Sequence, residues 1–190
     1  MSTIAVVARD GVAAIAADSL TTWGTAQESA TYVVNHEKII QVGNSYLAIS
    51  GPTSAKLALK DYFGAKSAVD LSDVDTIFRT WLDLHSALKK SYFLDPREDE
   101  DDAFESTRID VLIANPHGIF GVAAHRAVQK FSRFYAYGSG WQHALGAMHA
   151  VYSQPSISAE QIAKIGIEAA AEFDANTGLP IISYSLALNE

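Results

Sequence analysis

The sequence predicts an α+β fold of four layers, αββα: two stacked, mainly antiparallel sheets with a helix pair outside each. Three observations predict it. Short β-branched runs come in pairs joined by turn residues, as hairpins do. The first two runs are apolar at nearly every position, so they are covered on both faces. Two pairs of segments with helical apolar spacing punctuate the strands, which supplies an outer cover for each sheet.

Residues 3–8 and 12–17 read as strands flanking a turn at Asp10-Gly11. Residues 19–37 are polar and irregular, with an extended stretch expected around 31–34. Residues 38–42 and 45–50 form a second hairpin across Gly43-Asn44, ended by Gly51-Pro52. Pro52 suits a helix start, and Ala55, Leu57, Ala58, Leu59, Tyr62 and Phe63 follow at helical spacing. A second helix starts near Ser72-Asp73, a good N-cap, and carries Val74, Ile77, Phe78, Trp81, Leu82, His85 and Leu88.

Residues 95–106 form a charged connection that cannot bury itself. A third hairpin follows, 108–114 and 119–123, turning at Asn115-Pro116-His117-Gly118. Residues 134–137 form a short strand, ended by Gly138-Ser139-Gly140. A helix runs from Trp141 and another from Ser156 or Ser158, its end broken by residues 174–180. Residues 181–188 alternate like a last strand. The expected order is four strands, two helices, three strands, two helices and one strand. No internal boundary interrupts it, so residues 1–190 are expected to form one domain.

Composition narrows function by exclusion. The chain has 190 residues, 48% apolar and 19% charged, with 14 Lys+Arg against 22 Asp+Glu. This acidic balance argues against a nucleic-acid or anionic-membrane partner. No apolar run approaches the ~20 residues of a spanning helix, and the start lacks the basic and apolar regions of a signal peptide. The absence of cysteine excludes disulfides, thiolate metal sites and Cys nucleophiles. A cytoplasmic location is expected. His36, His85, His117, His125, His143 and His149 show no metal-ligand spacing, so no catalytic metal is expected; no cofactor is expected either. Gly138-Ser139-Gly140 invites a phosphate-binding reading, but His143 stands where a dinucleotide fingerprint needs glycine.

An N-terminal hydroxyl nucleophile needs a free α-amine as base, a nearby cation and a donor aimed at the oxyanion. Ser2 (once Met1 is removed), Lys38 and Gly51 are candidates for these parts. On its own each residue has a plainer reading: Asp18 a turn at a strand end, Lys38 an edge lysine, Ser139 a helix cap, and Asp174 and Thr177 helix-end residues.

The sequence resembles the proteasome β-subunit family of Ntn hydrolases, particularly its HslV-like branch and, within that, the betaproteobacterial proteasome homologue. The resemblance spans essentially the whole chain. It rests on Ser2-Thr3-Ile4-Ala5-Val6 with Arg9-Asp10-Gly11, Ala16-Ala17-Asp18, Lys38-Ile39-Ile40 and Ser50-Gly51-Pro52-Thr53. It continues in the run from Tyr137 to Ala144 and the run from Glu172 to Gly178. It implies that Ser2 is the nucleophile, Lys38 the essential lysine and Asp18 the carboxylate that orients it. Gly51 would supply the oxyanion N–H, Ser139 and Asp174 would hydrogen-bond near the terminal amine, and Thr177 would support that pair.

Three departures stand out. Ser replaces the usual Thr and lacks the methyl that restricts χ1. Only Met1 precedes the nucleophile, which points towards the HslV branch. The segments around 22–35 and 94–106 are long for HslV. The resemblance implies a self-compartmentalising peptidase acting on peptides or unfolded proteins, assembled as a double ring of twelve or fourteen subunits, and leaves an ATP-dependent unfoldase open. It also implies that the connection carrying the acidic run from Glu98 to Asp102 lies towards the ring pore, where its negative charge is expected to disfavour acidic substrates. Two alternatives remain at this point: an Ntn amidase for small amides, and a catalytically silent ring in which Met1 stays and Ser2 has no free amine.

Overall fold

The computed structural model describes residues 2–96 and 102–189. The chain opens with strands β1 (Thr3–Arg9) and β2 (Val12–Ala17), then a small ribbon, β3 (Thr21–Trp23) and β4 (Ala26–Glu28). Strands β5 (Ile39–Val42) and β6 (Ser45–Ser50) lead into helices α1 (Thr53–Gly64) and α2 (Val74–Ser91). Strands β7 (Asp110–Asn115), β8 (Gly118–Val122), β9 (Val128–Phe131) and β10 (Phe134–Gly138) follow. Helices α3 (Trp141–Val151) and α4 (Ala159–Phe173) and strand β11 (Ile182–Ala187) complete the order.

Two antiparallel sheets result, β10-β1-β2-β11 and β5-β6-β7-β8-β9. Burial on both faces, which alternate with the period of two along β1, explains why it is apolar from Ile4 to Ala8. Ile4 and Val6 face the space between the sheets with Ile15, Ile39, Leu112 and Ile119. Ala5 and Val7 face α3 and α4, against Met148, Ile162 and Ile167. On the far side, α1 and α2 cover the other sheet with Leu59, Phe63, Ile77, Trp81 and Leu84. The four layers are therefore α1/α2, sheet, sheet, α3/α4, as the sequence predicts.

Local chemistry sets the helix starts. Asp73 accepts from Thr76 N and Thr76 Oγ1 accepts from Asp73 N, a reciprocal cap for α2. Ser158 does the same with Gln161 at α4, which decides between the two serines proposed for that cap.

The structure departs from the sequence reading in three places. Residues 31–34 are turns, not an extended stretch; the ribbon lies earlier, at β3 and β4, and is mostly exposed. β9 was not expected. Lys38 precedes its strand rather than opening it, although its carbonyl accepts from Ile49 N at 3.0 Å. The expectation for the acidic run falls outside the described residues except at Asp102.

Candidate active site

The start of β1 lies where the two sheets and α3 converge. Ser139 N donates to Ser2 O at 2.9 Å, tying the residue before β1 to the turn after β10. That approach requires glycine at 138: φ is +98°, and a Cβ there would stand 1.8 Å from Ser2 O. The end of β2 closes the other side. Asp18 N donates to Thr3 O at 3.1 Å.

Asp18 is fully buried and accepts four hydrogen bonds from described residues. Oδ1 takes Thr3 N at 3.0 Å and Lys38 Nζ at 2.7 Å. Oδ2 takes Leu20 N at 3.0 Å and Gly178 N at 3.1 Å. All four partners are donors, so the geometry calls for the ionised carboxylate. Burial pushes the Asp18 carboxyl above its ordinary value, against Lys38 and the backbone donors. Lys38 Nζ also donates to Leu20 O at 2.6 Å. Burial pulls this lysine below its ordinary value, against the charge of Asp18, so its ammonium gives up a proton more readily.

Ser2, Lys38 and Gly51 line one cavity of about 220 Å³, with Leu20, Ile49 and Leu57. Gly51 has φ +156°, and a Cβ on it would press Arg108 O at 2.9 Å. Glycine is therefore required where β6 hands over to α1.

A second cluster adjoins the first. Ser139 Oγ and Thr177 Oγ1 each donate to Asp174 Oδ2 at 2.5 Å. Burial works against the charge of Asp174, but these hydrogen bonds prevail and hold its carboxyl below the usual range. Because Thr177 spends its proton on Asp174, Thr3 must donate across the 2.6 Å contact between Thr3 Oγ1 and Thr177 Oγ1. Thr3 in turn accepts from Gly140 N at 3.0 Å. The protons of this chain thus have one direction, from Gly140 through Thr3 and Thr177 to Asp174.

All seven residues singled out in the sequence meet here. Ser2, Lys38 and Gly51 share a cavity, Asp18 joins Lys38, and Ser139, Asp174 and Thr177 join each other. Thr3 was missed. Its signal was a hydroxyl on the face of β1 that otherwise carries Ala5 and Val7 into the helix layer. Among the described residues, no cluster of three His, Asp or Glu could hold a metal.

Neither a protein-family model nor a curated protein matches the chain. Solved structures do. BPH, a bacterial proteasome homologue from Thiobacillus denitrificans, is 54% identical in its complex with epoxomicin, with a TM-score of 0.94 over 99% of this chain and 100% of that one. The chain belongs to the proteasome β-subunit family of Ntn hydrolases. A further structure of Thiobacillus denitrificans BPH is 55% identical, with a TM-score of 0.94 over 98% of both chains. HslV from Trypanosoma brucei shares the fold at 15% identity, with a TM-score of 0.68 over 97% of this chain and 99% of that one. Proteasome β-subunit architecture thus accounts for the two sheets, the two helix pairs and the meeting of β1 with β10. No described helix is long and apolar enough to cross a membrane.

Proposed function

We propose that this chain, acting as one domain, is an N-terminal-nucleophile peptidase in which Ser2, freed of Met1, is the nucleophile. The observation that carries the reading is the buried Lys38, paired with Asp18 at 2.7 Å and lining the same cavity as Ser2 and Gly51. A lysine this enclosed costs stability unless it is used or paired. Here it is paired and still lines a cavity that Ser2 also lines.

The Ser2 hydroxyl attacks a peptide carbonyl. Its proton passes to the α-amine of the same residue, directly or through water, and Lys38 stabilises the ionised oxygen. The N–H of Gly51 receives the developing oxyanion. The C–N bond breaks, the amine hands its proton to the leaving nitrogen, and water hydrolyses the acyl ester by the same path. Ser139 and Asp174 position the amine; Thr177 and Thr3 hold Asp174 in place.

Assembly as a double ring with the sites inside is part of the proposal. Exposed Tyr32, Val34 and Phe173 offer apolar surface for contacts between copies. The known BPH complex with epoxomicin supports the catalytic reading by homology.

Intact mass combined with an epoxyketone tests it, since the full adduct takes both a terminal hydroxyl and a free α-amine. Loss of Met1 with a single adduct that vanishes in Ser2→Ala is the expected result. Retained Met1 and no adduct rejects the peptidase in favour of a silent ring. An adduct with turnover of small amides and none of peptides assigns an amidase instead.

A further inference from the structure

A second and larger cavity, of about 970 Å³, adjoins the first at Gly51. The two cavities share Thr22, Gly51, Pro52 and Thr53 as a common wall. Ser2 and Lys38 line only the first, whereas Gly138 and Ser139 line only the second. A substrate carbonyl held at Gly51 therefore has both cavities next to it.

The proton bookkeeping says which side is which. During acyl transfer the Ser2 Oγ–C bond forms and the C–N bond breaks. The hydroxyl proton, carried by the α-amine, ends on the leaving nitrogen. Ser139 is bonded to the Ser2 carbonyl and, through its hydroxyl, to Asp174. The mechanism proposed above gives Ser139 and Asp174 the positioning of the α-amine, which must hand its proton to the leaving nitrogen, so the leaving fragment is assigned to the second cavity, lined by Ser139, and the acyl part to the first.

The walls of the second cavity are aromatic. Trp23 closes β3 and Trp141 opens α3, and they are 58% and 41% exposed. Two indoles facing open space at a shared cavity are unusual for a surface unless they bind something. Tyr135 and Tyr137 supply the opposite wall and are preset. Tyr135 stacks on Phe131 at 4.3 Å and meets Tyr137 edge-on at 5.4 Å. Gly121 leaves room for Tyr137, whose hydroxyl would lie 2.7 Å from a Cβ there. Burial and then the charge of Asp110 push this phenol up to about 12, so it stays neutral. Arg108 and Asp110 bring opposite charges to the same lining, which gives no net pull on a charged side chain. A site of this size with four aromatic walls, one pair of them fixed by stacking, suits a ring or a large aliphatic group.

We infer that the cavity lined by Trp23, Tyr135, Tyr137, Ser139 and Trp141 binds the leaving fragment and selects an aromatic or large apolar residue immediately after the cleaved bond. This rests on Ser2 being the nucleophile.

The test uses internally quenched peptides identical except for that residue, which is Phe, Leu, Gly or Asp, with cleavage sites checked by mass. The assembled wild-type protein should favour Phe over Gly roughly tenfold in kcat/KM, with Leu between and Asp lowest. Trp141→Ala and Trp23→Ala should each bring the Phe/Gly ratio towards one. The ratio is taken within one preparation, so a partly folded variant does not distort it. Equal rates for the four peptides, or a ratio untouched by both substitutions, overturns the subsite and leaves the indoles to a neighbouring copy. Absence of both turnover and epoxyketone adduct rejects the peptidase reading, and the subsite with it.

Discussion

Oδ1 of Asp18 stands 2.7 Å from Nζ of Lys38, and the two depend on each other unequally. Without Lys38, Asp18 keeps three backbone N–H donors, from Thr3, Leu20 and Gly178. Without Asp18, Lys38 keeps Leu20 O among the described residues. Removing one partner of a buried pair costs about 3–5 kcal/mol when the other is left unmet. Asp18→Asn should therefore lower the unfolding free energy by about 3 kcal/mol, and Lys38→Met by about half of that. Denaturant titration of both variants checks the order; equal losses or the reverse order contradict it.

The proposed mechanism sets the pH dependence of catalysis through its base. A terminal amine ordinarily titrates at ~7.7–8.0, and a nearby ammonium lowers that value. With Lys38 at the same cavity, kcat/KM should rise with pH to a plateau, with its midpoint below the ordinary range. A pH–rate profile on a short peptide measures this. A rate that falls between about pH 6 and 8 contradicts a neutral amine as base.

Asp174 makes a separate prediction about stability. Its folded-state carboxyl sits below the unfolded value of 3.8, held there by Ser139 and Thr177 despite the contrary effect of burial. The folded form therefore binds its proton less readily than the unfolded form. The contribution is fully present above the unfolded value and is lost as pH falls through the folded one. Melting temperature between about pH 2 and 5 should fall less steeply in Asp174→Asn than in wild type. Ser139→Ala should raise the carboxyl's midpoint, read directly by NMR.

Two glycines separate strain from freedom. Gly138→Ala places a methyl against Ser2 O and forces β10 away from β1. It should destabilise by more than about 3 kcal/mol and abolish epoxyketone labelling. Gly146, exposed in α3 with nothing within 4 Å of a Cβ, should behave oppositely. Gly146→Ala should stabilise by roughly 0.5–1 kcal/mol, visible as a higher melting temperature with labelling retained.

The layers were legible because burial on both faces writes itself into residues 4–8 of β1 and all of β2 as unbroken Ile, Val and Ala. β3 and β4 were not, because three-residue strands such as Thr21–Trp23 bury too little to leave a period. β9 was hidden for a related reason: Gln129 and Lys130 are exposed, so only its ends carry an inward signal. The site was legible in a different way. Asp18 and Lys38 lie twenty residues apart, and no local rule joins them; resemblance did. Thr3 escaped because a hydroxyl beside a candidate nucleophile draws no notice until Thr177, distant in sequence, is seen to meet it.

The first residues of the chain are held by some of its last. Ser2 is bound by Ser139, Thr3 by Thr177, and Asp18 by Gly178. On a ribosome the amino end emerges first. The proposed catalytic site nevertheless stays unfinished until residue 178 has been made and folded back against the end of β2. A truncated or stalled product would carry the serine and the lysine without Asp174, Thr177 or Gly178. For the nucleophile proposed above, the fold thus acts as its own safety catch, completing the terminus only when synthesis of these segments is complete.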